Sequence, residues 1–155
     1  MCHKDIQTVP VTHSALAALA ALEQQCFCGE CWSERMLSEM LENPAAVMLR
    51  MTAAQPDGSA RTVGWGGIWC VMEQAEIASL CVAPDCQRQG LGAYLLHTLL
   101  QTAKKRGAAS VFLEVRASNT AARHLYEKTG FQIIGTRRRY YRAPTEDALI
   151  MKLPL

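Results

Sequence analysis

Two glycines stand at the start of a predicted helix, in the segment from Val82 to Ala93 (VAPDCQRQGLGA). Glycine allows the backbone to come close to a ligand, and the first N–H groups of a helix have no partner within the helix. The helix dipole also favours negative charge at this end. Gly90 and Gly92 therefore predict a turn that binds phosphate.

The kind of phosphate ligand depends on the residues around these glycines. A Walker loop requires Gly-Lys-Ser/Thr, and the sequence has none. A dinucleotide-binding fingerprint requires a third glycine, where the chain has Leu95, and too little chain follows to complete its sheet, although Glu114 lies near the place of the ribose-binding acid. The glycines could also serve only to let the helix pack closely. The turn by itself therefore does not identify a ligand.

Hydrophobic periodicity and capping signals predict the elements around this turn. We expect helices over residues 15–23, 34–42, 91–106 and 119–129, with Ser14 and Ser33 as the first two N-caps. We expect strands over residues 5–11, 45–53, 61–72, 76–82, 110–115, 131–136 and 148–153. The unit from 76 to 115 is a strand–helix–strand crossover, which requires parallel strands, whereas the rest of the sheet is antiparallel. The order predicts a mixed α/β domain.

Length and composition limit the class of protein. The 155 residues, half of them hydrophobic, suffice for one core but not for two ordinary domains. No apolar run reaches the length of about 18 residues that a membrane span needs, and the N-terminus lacks a signal-peptide pattern. Seven cysteines, an odd number at irregular spacing, suit a reducing compartment. We expect a soluble, cytoplasmic protein without a membrane partner.

Charge is distributed unevenly along the chain. Residues 1–80 carry four Lys/Arg and nine Asp/Glu, whereas residues 81–155 carry twelve Lys/Arg and five Asp/Glu. A basic half is typical of proteins that bind polyanions, and an acidic half is suited to a cationic ligand. The same counts are also explained by charged residues that are distributed unevenly over the solvent-exposed surface without binding any ligand.

The pattern Gln87-x-x-Gly90-x-Gly92, together with the order of the elements, resembles the acyl-CoA pyrophosphate loop of the GNAT acetyltransferases. Later segments are similar to those of the RimI-type ribosomal-protein-alanine N-acetyltransferases: LEVRASN at 113–119, LYE at 125–127, GF at 130–131, YY at 140–141 and EDA at 146–148. The likeness is close over residues 80–153. Before these, only the element order and Trp32-Ser33-Glu34 match, with Cys31 in place of the family's proline.

The resemblance implies one GNAT domain over residues 1–155, with a mixed, mostly antiparallel sheet, a central βαβ crossover with splayed parallel strands, and helices on both faces. It also implies acetyl-CoA as cosubstrate, no metal, and direct acetyl transfer to the N-terminal alanine of a small-subunit ribosomal protein such as bS18. An acetyltransferase for other protein N-termini or small amines would share these catalytic residues. A non-catalytic acyl-CoA-binding or RNA-contacting module would share the fold.

Acetyl transfer to an amine needs a base, donors that polarise the thioester carbonyl, and an acid for the departing thiolate. Glu114 ends an otherwise apolar strand, and the resemblance places the general base there. The residues alone also allow a surface glutamate that is balanced by Arg116 on the same strand face. Tyr126 lies two helical turns after Asn119, and the resemblance places the general acid there, although packing also explains a tyrosine in such a helix.

The resemblance assigns the remaining site residues to acetyl-CoA. Backbone groups of Leu80, Cys81 and Val82 would bind the pantetheine and the acetyl group. Pro84 has no N–H, which suits a strand that stops pairing and leaves room for the cosubstrate. Asn119 would cap the following helix and also contact acetyl-CoA. The pyrophosphate would lie against Arg88, Gln89, Gly90, Leu91, Gly92 and Ala93.

Two further clusters suggest other chemistry. Cys26-x-Cys28-x-x-Cys31 resembles half of a zinc site, but no second Cys/His pair lies at finger spacing, so we expect a thiol-lined substrate rim or small packing residues. The tract from Arg137 to Arg142 (RRRYYR) has the basic and aromatic mixture of RNA-binding surfaces. It also matches the Arg-Arg-x-Tyr-Tyr segment of the RimI type, which leads from a strand into the acceptor side, so we expect no direct nucleic-acid binding.

Overall fold

The described part of the chain, residues 5–27 and 29–155 of a computed structural model, contains seven strands, four α-helices and two short 3-10 helices. The strands are β1 (Ile6–Pro10), β2 (Ala46–Ala54), β3 (Ala60–Val71), β4 (Gln74–Val82), β5 (Ser110–Arg116), β6 (Gln132–Arg142) and β7 (Thr145–Pro154). The helices are α1 (Leu16–Cys26), α2 (Glu34–Glu42), α3 (Leu91–Lys105) and α4 (Thr120–Thr129). Both the element order and the mixed α/β class agree with the prediction.

All seven strands belong to one sheet, in the order β1-β2-β3-β4-β5-β7-β6. The pair β4–β5 is parallel and the other neighbouring pairs are antiparallel. Helix α3 connects the two parallel strands, which confirms the predicted crossover. The end of β4 and the start of α3 therefore lie at the carboxyl edge of the parallel pair, where open α/β sheets hold ligands.

Strands β4 and β5 separate soon after they meet. They pair only over Gln74–Glu76 and Ser110–Phe112, so the predicted splay is confirmed. Pro84 is not its cause, because this residue lies beyond the end of β4 and well after the last pair. The edge of β4 that faces β5 is thus unpaired with it from Ile77 onwards.

A bulge lies in the part of β4 that pairs with β3 but not with β5. Gly67 of β3 faces Ser79, whereas the next residue, Ile68, faces Ile77. Ala78 is therefore an extra residue in β4, and such a bulge bends a strand and redirects its backbone groups. The bulge occurs at the splay, where a ligand would meet the strand.

Two neighbouring glycines of β3 show that helices cover both faces of the sheet. A Cβ atom on Gly66 would lie 2.7 Å from Leu99 of α3, and one on Gly67 would lie 2.8 Å from Met40 of α2. Successive side chains of a strand point to opposite faces, so α2 and α3 pack on opposite sides. A side chain at either position would displace the end of Leu99 or Met40, so the two glycines let these side chains pack directly on the strand.

The prediction was wrong about the last hairpin. The expected strands ended at Thr136 and began again at Ala148, but Arg142 pairs with Thr145, so only Ala143 and Pro144 separate β6 from β7. Strand β6 is an edge strand and is largely exposed, so it lacks the alternation of apolar residues by which strands are recognised. The tract from Arg137 to Arg142 thus lies within a strand and does not follow one.

Helix α1 is also longer than predicted, since it continues past Glu23 to Cys26.

Across residues 5–27 and 29–155, no helix is long and apolar enough to cross a membrane.

Candidate active site

Two adjoining cavities open where β4 and β5 separate. The first, with a volume of about 510 Å³, has four glutamates among its lining residues, Glu23, Glu30, Glu114 and Glu146, and we call it the carboxylate cavity. The second, of about 520 Å³, is lined by the turn before α3 and is called the glycine-turn cavity. The residues that line both are Cys26, Phe27, Leu80, Asn119, Ala122 and Tyr126.

Backbone groups of the turn before α3 line one end of the glycine-turn cavity. Gly90 is the N-cap of α3 with φ +81° and ψ 0°, and Arg88 also has a positive φ of +59°. A residue with a side chain rarely adopts such angles, which explains the glycine. The first α-helical bond runs from the N–H of Tyr94 to the carbonyl of Gly90, so the N–H groups of residues 91–93 have no partner within the helix. A phosphate is the ligand that this end favours.

Most of the residues predicted to bind the cosubstrate line this cavity. They are Leu80, Cys81, Val82, Arg88, Gly90, Gly92, Ala93 and Asn119. Gln89 and Leu91 do not line it, and the side chain of Leu91 is buried in the core, so Leu91 can contribute only through its backbone. The carbonyl of Val82 already accepts a hydrogen bond of 3.0 Å from Nε2 of Gln87.

Glu114 lies at the boundary of the carboxylate cavity with its side chain 19% exposed. Its Oε1 atom is 2.7 Å from Nε of Arg137 on β6. The alternative partner, Arg116, instead contacts Glu146 at 3.4 Å and places its guanidinium 4.2 Å from the ring centre of Tyr141. The alternative explanation of Glu114, a surface glutamate paired with Arg116, is therefore wrong, because the last hairpin supplies a separate partner to each residue.

Charges around Glu114 change the acidity of its neighbours. Burial and the negative charge of Glu114 both raise the pKa of Glu76, and Arg137 opposes them. A hydrogen bond to Glu114 raises the pKa of Tyr140. Burial, followed by the charge of Glu114, raises the pKa of Tyr141 to about 12, so this phenol stays protonated at neutral pH.

Tyr126 of α4 stands between the two cavities and is only 7% exposed. Its ring packs edge-on against Phe131, with ring centres 5.7 Å apart. Burial raises its pKa well above the usual value, so the phenol is protonated at neutral pH and stays so in more alkaline solution than an exposed tyrosine. Asn119 fixes the start of α4, because its Oδ1 accepts a hydrogen bond from the N–H of Ala122, and this confirms the predicted N-cap.

Sequence reasoning missed Glu23, the buried acid of the carboxylate cavity. Its side chain lies in the core with 1% of the residue exposed. Oε1 accepts hydrogen bonds from Nε1 of Trp65 at 2.9 Å and Oγ of Ser79 at 2.6 Å, and Oε2 accepts one from the N–H of Trp32 at 3.2 Å. Burial raises the pKa of Glu23, although these three donors oppose the effect.

A signal for Glu23 exists in the sequence. Leu16, Leu19 and Glu23 follow the i, i+3, i+7 spacing of one helical face, so an acid occupies a position on the apolar stripe of α1. Buried carboxylates need hydrogen-bond donors, and only the folded sheet shows that Trp65 and Ser79 supply them.

The cysteine cluster has one member at the site. Cys26 lines both cavities, and its Sγ lies 3.3 Å from the carbonyl of Val82. Cys26 ends α1, although the prediction placed it in the following loop; Cys31 is in that loop, and Cys28 falls outside the described residues. Within the described ranges, no group of three His, Cys, Asp or Glu side chains could hold a metal ion.

Known sequences identify the family. The model of the acetyltransferase (GNAT) family matches residues 16–131. The chain belongs to the GNAT acetyltransferase family. Members of this family use acetyl-CoA, and both the open edge of β4 and the free N–H groups at the start of α3 fit that ligand.

Individual relatives agree with this family. N-alpha-acetyltransferase RimI from Mycobacterium tuberculosis is 37% identical over 155 residues, which cover 94% of this chain and 93% of that enzyme. The crystal structure of the ribosomal-protein-S18-alanine N-acetyltransferase from Escherichia coli has a TM-score of 0.84 and 34% identity, over 97% of this chain and 94% of that one. Arabidopsis thaliana NAA60 in complex with acetyl-CoA shares the fold, with a TM-score of 0.88 and 16% identity over 97% and 99% of the two chains. The protein is thus an N-acetyltransferase.

Proposed function

We propose that this protein uses acetyl-CoA to acetylate the N-terminal alanine of a small-subunit ribosomal protein similar to bS18, with residues 1–155 acting as one domain. The observation that carries the proposal is the meeting of Glu114 and Tyr126 on one cavity, which adjoins the glycine turn through shared residues. The acceptor is inferred from the E. coli relative named above, which is similar over nearly its whole length. A ribosomal acceptor would place the reaction in the cytoplasm.

The glycine-turn cavity would hold acetyl-CoA. Its pyrophosphate would accept hydrogen bonds from the N–H groups of residues 91–93, while Arg88 adds positive charge. The pantetheine would lie along the open edge of β4, at Leu80, Cys81 and Val82, and would also contact Asn119. Acetyl-CoA supplies the activated acetyl group, and the protein supplies orientation and proton transfer.

Glu114 is the proposed general base. The acceptor amine must lose a proton before it can attack the thioester, and the pKa of an N-terminal amine is only about 8, so a modest base is sufficient. The carboxylate of Glu114 borders the carboxylate cavity at the splay, where it can receive this proton directly or through water. Arg137 keeps the carboxylate in one orientation through their 2.7 Å contact.

Tyr126 is the proposed general acid. Its phenol carries a proton at neutral pH, as a tyrosine with an ordinary pKa near 10 already does, and burial raises this pKa further. Its position between the cavities would put it beside both the acyl donor and the acceptor. It can therefore protonate the thiolate that leaves when the C–S bond breaks. The amine nitrogen forms the new bond to the acetyl carbon, so no covalent enzyme intermediate is required.

A peptide panel tests the acceptor. We would measure acetyl-CoA-dependent thiol release with short peptides that differ only in their first residue, including one that begins with Ala-Arg, and use the same peptides with a blocked N-terminus as controls. Turnover restricted to Ala or Ser starts, and lost on blocking, supports the proposal. Turnover on small amines but on no peptide would contradict the acceptor assignment, and acetyl-CoA binding without any turnover would favour a non-catalytic module.

A further inference from the structure

Glu23 connects three separate elements around the carboxylate cavity. One carboxylate accepts hydrogen bonds from β3 through Trp65, from β4 through Ser79, and from the segment before α2 through the N–H of Trp32. These three donors lie far apart in the chain, so their common acceptor fixes how the elements sit relative to one another. Because Glu23 is nearly inaccessible to water, each lost contact would leave a buried polar group unpaired.

The contact with Ser79 holds β4 at a sensitive position. Ser79 follows the extra residue Ala78 of the bulge, beside the strand edge that β5 leaves open. Ala78 and Ser79 line the carboxylate cavity and not the glycine-turn cavity, so the bulge faces the acceptor side. A hydrogen bond of 2.6 Å to a buried carboxylate limits rotation of the serine and hence movement of the bulge.

The contact with Trp32 holds the opposite wall of the cavity. The segment before α2 is attached at two points, since the N–H of Trp32 binds Glu23 and the carboxylate of Glu30 accepts the N–H of Arg142 on β6. Trp32 also packs edge-on against Trp65, with ring centres 6.3 Å apart. Glu30 and Trp32 both line the carboxylate cavity, so this segment borders the space that the acceptor would enter.

We propose that Glu23 is a positioning residue for the acceptor: it sets the distance between the bulge of β4 and the segment that carries Trp32, and so the width of the acceptor entrance. This inference rests on the proposed function. Glu23 itself does not take part in the chemistry, because its two oxygens already accept hydrogen bonds from Trp32, Trp65 and Ser79, and Sγ of Cys81 is a longer fourth donor at 4.0 Å. Acceptor binding, rather than acetyl-CoA binding, is the property that it controls.

Glu23→Gln is the most direct test, because the amide keeps the volume but supplies one acceptor atom where the carboxylate supplies two. We expect the KM for the Ala-Arg peptide to rise about tenfold, since small displacements of positioning groups have large effects, while the dissociation constant of acetyl-CoA stays within about twofold. Peptide affinity, measured by calorimetry with CoA present, should fall by the same factor. Glu39→Gln, at an exposed glutamate of α2, is the matched control and should leave all three values unchanged.

Ser79→Ala provides a second variant if Glu23→Gln does not fold, as judged by its melting temperature. It removes one hydroxyl, leaves the contact with Trp32 intact, and should raise the peptide KM in the same direction by about threefold. An unchanged peptide KM in the folded variants, with active wild-type protein, overturns this inference alone. An equal loss of acetyl-CoA affinity also overturns it. Wild-type protein that neither binds nor acetylates the peptide overturns the proposed function as well.

Discussion

The glycine-turn cavity and the carboxylate cavity are built in different ways. The first takes its anion-binding groups from the backbone of one short segment, the turn into α3. The second is built from side chains of α1, β5 and the last hairpin, which packing brings together from distant parts of the chain. The backbone site should therefore tolerate most side-chain changes that leave the turn open, whereas the side-chain site should fail when a single polar atom is replaced.

Loss of the proposed base should have the largest effect on the side-chain cavity. We expect Glu114→Gln to lower turnover by about 10² or more with little change in acetyl-CoA affinity, because a positioned base is removed while the volume is kept. Steady-state kinetics on the Ala-Arg peptide measures the rate, and calorimetry measures acetyl-CoA binding. Glu127→Gln, on an exposed part of α4, is the control, and an equal loss of acetyl-CoA binding in the Glu114 variant would contradict the assignment.

Loss of the proposed acid should have a somewhat smaller effect. Tyr126→Phe removes one hydroxyl and keeps the packing against Phe131, so turnover should fall roughly 10-fold to 100-fold while the melting temperature changes little. Thiol release and thermal unfolding provide the two measurements. Tyr94→Phe, at an exposed tyrosine of α3, serves as the matched control, and unchanged turnover would remove Tyr126 as the acid.

The backbone cavity should fail only when the turn is filled. A Cβ atom on Gly92 would lie 3.6 Å from Leu125 and 3.9 Å from Val82, so the fold accepts a side chain there, but that side chain would enter the glycine-turn cavity. Gly92→Val should weaken acetyl-CoA binding about tenfold, the equivalent of one charged hydrogen bond. Calorimetry of the variant tests this, with Gly135→Ala, whose Cβ would contact Ile150, as control. Normal affinity in the Gly92 variant would argue against the pyrophosphate site.

The smallest effect concerns stability and pH. Burial raises the pKa of Glu23 above its ordinary 4.5, so the native state keeps a proton that the unfolded state has lost. The stabilisation that this proton gives is complete below about pH 4.5 and disappears as the pH rises through the native pKa. The melting temperature of the wild type relative to Glu23→Gln should therefore decrease over this range. A difference that is constant with pH would contradict a raised pKa.

The backbone cavity is also the part that could be predicted from the sequence. Glycines, a helix start and a strand–helix–strand unit are local signals, and they located Gly90, Gly92 and the crossover correctly. The side-chain cavity depends on long-range pairs. Arg137 reaches Glu114 only because β6 pairs with β7 beside β5, and the length of β6 could not be predicted because an exposed edge strand has no apolar alternation.

The two cavities share Cys26, Leu80 and Tyr126 as a common wall, so they behave as two halves of one groove. The acyl donor and the acceptor can then be bound at the same time, one in each half, and they contact each other only where the two halves meet. A single molecule that joins CoA to the first residues of the acceptor would fill both halves. Its second half would bind at the high effective concentration set by the first, and its affinity should exceed that of either substrate by orders of magnitude.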